Sequence, residues 1–241
     1  MLIHLAEENR NIYINYYQRA GEKVEEVDYE AERDRQSAKA AIIPGTVAGL
    51  TLALEKYGTM PLSKVLEPAI RHAEDGFAID KTLAGIILDN VPLLSKYEST
   101  AHIYLDEGFP RFEGDLLHQP DLAQTLKDIV EKGRAGFYEG RVAAEISSAV
   151  SQHGGSLTLD DLKNYEPTVG EPVHGTYRGY DIYSAATPQS GVSIVQALNM
   201  LENADLAARG HFRDSAATLH LLAETLRRVS ADRSAFIADP D

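Results

Sequence analysis

The spacing of apolar residues changes twice along this chain, and that change restricts the fold more than any single motif does. "MLIHLAEENRNIYINYYQRA" holds two alternating apolar runs, Leu2 to Leu5 and Ile12 to Tyr17, around the polar Glu7-Glu8-Asn9-Arg10. That predicts a β-hairpin within residues 1–20, with a hydrophobic edge for another segment to cover. Past Pro44-Gly45 the period becomes helical, and a helical region is expected over 44–165. Val47, Leu50, Leu54 and Tyr57 share a face, and Gly58 is placed to close that helix in a left-handed cap. "PLSKVLEPAIRHAEDG" predicts a second helix, bent or restarted at Pro68 and stopped at Gly76. Asp80 is expected to cap a third, with Leu83, Ile87, Val91 and Leu94 inside and Pro92 disturbing its last turn. Two more follow, one from about Pro120 with Leu122, Leu126, Ile129 and Val130 inward, the other carrying Val142, Ile146 and Val150. Thr158-x-x-Asp161 reads as a helix-capping pattern. At Glu171 alternation returns, so "EPVHGTYRGYDIYSAA" predicts a hairpin over 171–185 that turns at Arg178-Gly179. Helices over 190–203 and 215–233 complete the reading, the last with Leu219, Leu222, Leu226 and Val229 buried. The fold class is α/β in the α+β sense, mostly helical with two β-hairpins and no internal repeat or linker.

Charge and composition exclude several functions. Lys and Arg number 23 against 37 Asp and Glu, a net charge of −14, and no basic cluster stands out. Nucleic acid and anionic membrane are poor partners for such a surface. No apolar stretch approaches transmembrane length, and "MLIHLAEENRN" lacks the pattern of a signal peptide. The acidic stretch "EKVEEVDYEAERDRQSAK", residues 22–39, reads as a solvated surface loop. Cysteine is absent, which removes disulfides, thiolate metal sites and cysteine nucleophiles together. The eight histidines form no H-x-x-x-H pair, so no metal site is expected, and without G-x-G-x-x-G or Walker sequences no nucleotide cofactor is expected.

One junction is suggestive. In "YSAATPQSGVSIVQALN" a strand breaks at Thr187-Pro188, turns through Gln189-Ser190-Gly191 and enters an apolar helix. Ser190 is open to three readings: helix N-cap, contact for an anion, or nucleophile. A nucleophile elbow carries glycine two positions before its serine, where this chain has Pro188. Tyr13, Tyr16 and Tyr17 offer an aromatic face, although tyrosine is also an ordinary strand residue that packs its ring and keeps its hydroxyl wet.

Four stretches occur in order: "IPGTVAGLTLALEKYGTMPLSKVLEPAIRHAEDGF" from Ile43, "GGSLTLDDLKNYEPTVGEPVHGTYRGYDIYS" from Gly154, "ATPQSGVSIVQALNMLE", and "LHLLAETLRRVSADRSAFIADPD" ending at Asp241. Together they resemble the large-subunit part of gamma-glutamyltransferase, a family of self-cleaving N-terminal-nucleophile hydrolases. The resemblance implies an αββα sandwich built from a large and a small subunit of one precursor. It implies glutathione-like gamma-glutamyl amides as substrates, no cofactor, and a periplasmic or secreted location. The nucleophile would be the threonine that opens the small subunit, with its own α-amino group as base. No stretch here resembles that threonine's motif, so no catalytic residue is expected in this chain, which reads as part of a larger or truncated protein. The small subunit is then the expected partner. By the same resemblance "TPQSGV" is a structural turn.

The family writes D-[FY]-R-E-x-A-P where this chain has "NYYQRAG", and its arginine grips the substrate's α-carboxylate with a bidentate fork. Laid residue on residue, Asn15 replaces the aspartate, Tyr17 the arginine, Gln18 the glutamate and Gly21 the proline. Arg19, two residues on, would point to the same face as Tyr17 on an extended strand, so both are candidate substrate-binding residues. Otherwise the chain serves an acylase with a different acyl donor, or an inactive structural unit.

Overall fold

Alternation at the N-terminus produces β1 (Leu2–Leu5) and β2 (Arg10–Asn15), antiparallel with Leu2 opposite Tyr13. Their reversal is a short 3-10 turn closed by Asn9 at φ 44°, a conformation asparagine tolerates. The computed structural model describes residues 1–237, which form two compact units. Met1–Tyr17 joins the part that begins at Glu166, and Gln18–Tyr165 forms the other.

The unit Gln18–Tyr165 carries α1 (Ala31–Asp34), α2 (Thr46–Tyr57), α3 (Leu62–Asp75), β3 (Phe77–Ala78), α4 (Lys81–Asp89), α5 (Val91–Leu94) and α6 (Glu98–Tyr104). It continues through β4 (Leu105–Asp106), β5 (Phe109–Pro110), β6 (Leu116–Leu117), α7 (Pro120–Lys132), α8 (Ala135–Tyr138), α9 (Gly140–Gln152) and α10 (Leu159–Asn164). Asp80 caps α4 by accepting the Leu83 N–H at 2.7 Å, and α4 stops before Pro92, which opens α5. Helix α3 is continuous through Pro68 and does not restart there, the one hydrogen bond proline removes being offset by packing along α7. Two expectations need correction. Gly58 ends α2 with φ −82° and ψ 156°, an extended rather than left-handed conformation. Glycine is needed there for space, since a Cβ would lie 2.4 Å from Leu54 Cδ1. Leu122, expected inward on α7, is exposed; Ala123 and Ile129 hold the buried face. One core gathers Ile43, Ala48, Tyr138, Leu157, Leu162 and Tyr165, and a smaller one gathers Ile79, Ile87, Leu105 and Leu117.

Residues 22–39 are not a plain solvated loop. They wrap around Asp34, which is 5% exposed. Its Oδ2 accepts Arg33 Nε at 2.9 Å and the Glu30 N–H at 3.0 Å, with Lys39 Nζ at 3.7 Å. The Arg33 hydrogen bonds, more than the Glu30 amide and the Lys39 charge, hold the Asp34 carboxyl down at about 2. A depressed carboxyl stabilises the fold above its ordinary value near 3.8, and that contribution disappears as pH falls through about 2. Acid unfolding of the chain is therefore expected to steepen across that interval, and Asp34→Asn to flatten it while lowering stability at neutral pH. Denaturant midpoints measured against pH check this, and identical pH profiles for the two proteins would refute it.

The other unit continues with β7 (Thr168–Gly170), β8 (Val173–Tyr177), β9 (Tyr180–Ser184), α11 (Gly191–Glu202), α12 (Leu206–Arg209) and α13 (Ala216–Phe236). Strand β7, which alternation did not suggest, pairs with β2 and makes a three-stranded sheet in the order β1-β2-β7. β8 and β9 form the hairpin expected from Arg178-Gly179, with φ 51° and 82° at the two turn residues. Both residues lie in the left-handed region that a two-residue turn matched to strand twist requires. Helix α13 buries a face different from the one its leucines suggest. Thr218, Thr225 and Val229 are inside, while Leu219 and Leu226 are 54% and 61% exposed. Threonine can lie there because its hydroxyl returns to the backbone, Thr225 Oγ1 donating to the Leu221 carbonyl at 2.9 Å and Thr218 Oγ1 to Gly210 at 2.9 Å. The D-P-D at Asp239–Asp241 lies outside the described residues.

Candidate functional site

Arg19 is half-buried in the unit Gln18–Tyr165, and its backbone is fixed by Ile43, whose N–H donates to the Arg19 carbonyl at 2.8 Å in an isolated antiparallel bridge. Its charge acts on Tyr165, a residue only 3% exposed. Burial first, and then the neighbouring Tyr138, push the Tyr165 phenol up to about 12, with Arg19 pulling in the opposite direction.

Behind Tyr165 stands a stacked pair. Its ring is 5.9 Å from that of Tyr138 at an interplanar angle of 10°, and the Arg134 guanidinium lies 4.9 Å from the centre of the Tyr138 ring. Arg134 also donates to the carbonyls of Lys163 and Tyr165. Tyr138 is wholly buried; its hydroxyl donates to the Pro44 carbonyl at 2.6 Å and accepts the Ala48 N–H at 3.2 Å. That amide belongs to the first turn of α2, where no intrahelical acceptor exists. The tyrosine thus finishes the start of α2 and supports the residue beside Arg19. Sequence reasoning missed Tyr138 and Tyr165 because neither has a local motif; their partners are distant in the chain.

Tyr17, the other candidate, belongs to the first unit and is 45% exposed. β2 ends at Asn15, and the Tyr17 N–H donates to Asn15 Oδ1 at 3.1 Å. No strand continues from β2 over residues 16–18, so Tyr17 and Arg19 are not carried on one continuous strand. A side chain that captures the next amides ends strand pairing, and Asn15 does so where the resembling family has aspartate.

Ser190 precedes α11 without capping it through its side chain. Instead its Oγ accepts Arg233 Nη1 of α13 at 3.0 Å. Gly191 begins the helix where a Cβ would meet the Ala185 carbonyl oxygen at 1.8 Å, and the hairpin approaches so closely that a Cβ on Gly175 would lie 2.3 Å from Val195 Cγ1. The turn is thus a packing junction: Ser190 holds the N-cap position of α11, but its hydroxyl is tied to α13 rather than to the first turn of the helix. Its partner is a guanidinium, a donor that cannot serve as the base a serine nucleophile needs.

All of residues 1–241 match the family model of gamma-glutamyltranspeptidase. The glutathione hydrolase proenzyme of Escherichia coli is 41% identical over 214 residues, covering 88% of this chain and 37% of that protein. An acylase ACY 1 proenzyme from a Pseudomonas species is 40% identical over 212 residues, covering 86% of this chain and 38% of the relative. Among solved structures, gamma-glutamyltranspeptidase from Helicobacter pylori superposes with a TM-score of 0.92 at 37% identity, over 99% of this chain and 70% of that one. The chain spans little more than a third of the length of these two proenzymes, and it aligns with their large-subunit portion. Mixed helix and strand, the hairpin-to-helix junction and the match along every residue lead to one conclusion: the chain belongs to the gamma-glutamyltranspeptidase family.

Proposed function

We propose that this chain is the large-subunit part of an enzyme that transfers or hydrolyses gamma-glutamyl amides of the glutathione type. The match along its whole length to a family of gamma-glutamyl enzymes carries that reading. The chain's own contribution is binding: Arg19, on its tyrosine support, holds the donor's α-carboxylate. The partner is a threonine-led small subunit. Its hydroxyl attacks the amide carbonyl while its α-amino group takes the proton; an acyl ester forms as the amine leaves, and water or a second amine then takes the acyl group. The exposed stripe of Leu219 and Leu226 on α13 supports a further segment packing onto this unit.

A second reading is an acylase whose donor lacks a free α-carboxylate. Tyr17 standing where the resembling family writes arginine favours it. Matched gamma-glutamyl and 4-aminobutanoyl anilides, which differ only in the α-carboxylate, separate the two. On the first reading the assembled protein prefers the glutamyl donor, and Arg19→Ala reduces that preference about a hundredfold, the usual cost of losing a fixed cation from a carboxylate. Tyr17→Arg then changes little. Equal rates on both donors, with a glutamyl preference created by Tyr17→Arg, would establish the acylase reading instead.

A further inference from the structure

Asp161 satisfies two different segments at once. As the third residue of α10 it closes a capping box: its Oδ2 accepts the Thr158 N–H at 2.8 Å and the Thr158 hydroxyl at 2.7 Å, and its own N–H donates to Thr158 Oγ1 at 3.0 Å. Its other oxygen, Oδ1, accepts the N–H of Glu22 at 2.9 Å, across 139 residues of chain. The carboxylate is 5% exposed. Burial pushes it up, yet the hydrogen bonds from Glu22 and Thr158 and the charge of Lys23 hold it below the usual carboxylate range, so it is ionised at neutral pH. Between Arg19 and Glu22 lies Gly21, buried so tightly that a Cβ would sit 2.9 Å from Asp161 Oδ2 and 3.3 Å from Leu157 Cδ2.

The four residues Arg19 to Glu22 are therefore held at both ends, by Ile43 N–H on the Arg19 carbonyl and by Asp161 on the Glu22 amide. We propose that Asp161 is a positioning residue for the Arg19 guanidinium, acting through the Glu22 amide and the Gly21 contact. This rests on the reading of Arg19 as the carboxylate clamp. A helix cap alone needs only the Thr158 contacts; the contact to Glu22 adds nothing to α10 and fixes only the segment bearing Arg19. A guanidinium recognises a carboxylate by a planar fork, so its placement matters as much as its charge.

The test uses the assembled protein and the ratio of kcat/KM for glutamyl over 4-aminobutanoyl anilide, with thermal stability recorded in parallel. Asp161→Ala removes both contacts and is expected to lower that ratio about tenfold or more, through glutamyl KM rather than kcat, as a misplaced binding group does. Asp161→Asn keeps an oxygen for the Glu22 N–H but cannot accept both Thr158 donors, and Thr158→Ala breaks the cap alone. Both are expected to lower stability and retain the ratio. Should Asp161→Ala fail to fold, Gly21→Ala presses on the same contact from the other side and is expected to lower the ratio likewise. An unchanged ratio in Asp161→Ala or Gly21→Ala, or an equal fall in Thr158→Ala, overturns the positioning role. Arg19→Ala, measured alongside, tells the failures apart. If it leaves the ratio intact, clamp and positioning fall together; if it abolishes the ratio while Asp161→Ala does not, only the positioning role falls.

Discussion

Purified by itself, the chain is expected to release no detectable product from a gamma-glutamyl anilide, and turnover is expected once a threonine-led small subunit is supplied. The reason is the lack of an activated nucleophile among the described residues. Amide cleavage needs an attacking group with a base in reach, and enzymes of this kind lower barriers by at least about 8 kcal/mol. Ser190, the serine best placed by sequence, meets Arg233 rather than a histidine or carboxylate. Among the described residues no three metal-ligating side chains gather. Co-expression with a threonine-led small subunit and assay of both preparations decides the matter. Turnover by the lone chain that disappears in Ser190→Ala would mean that the nucleophile lies here after all.

Removing Tyr138 is expected to destabilise the unit Gln18–Tyr165 more than any other single change in its core. Tyr138→Ala empties a wholly buried ring site and forfeits the stack on Tyr165 and the contact with Arg134. Large aromatic truncations of this kind cost about 3–5 kcal/mol. Tyr138→Phe keeps the ring but strands the Ala48 N–H and the Pro44 carbonyl, which now meet the hydroxyl at 3.2 and 2.6 Å. Leaving buried polar groups unsatisfied costs about 1–3 kcal/mol. Urea unfolding of the two variants should give that order, with glutamyl preference in the assembled protein falling too if Tyr165 is displaced behind Arg19. A Tyr138→Phe protein as stable as the parent would show that the hydroxyl contributes nothing net.

What the sequence by itself determined is local. The Thr158–Asp161 capping box, the Asp80 cap, the turn at Arg178-Gly179 and the disturbance at Pro92 each depend on residues within four positions of one another, so their chemistry could be read directly. Family membership was legible as well, because motif order survives substitution of individual residues. Tertiary structure alone decided which apolar stripe of α13 packs, that β7 joins β2, and that Asp34 is enclosed rather than solvated. It also decided the surroundings of Arg19: Ile43, Tyr165 and, through Glu22, Asp161. Amphipathic spacing names the faces a helix can bury, but the choice among them is made by whatever packs on it. A buried carboxylate likewise looks like any surface acid until donors from distant segments converge on it, as Glu22 and Thr158 do on Asp161.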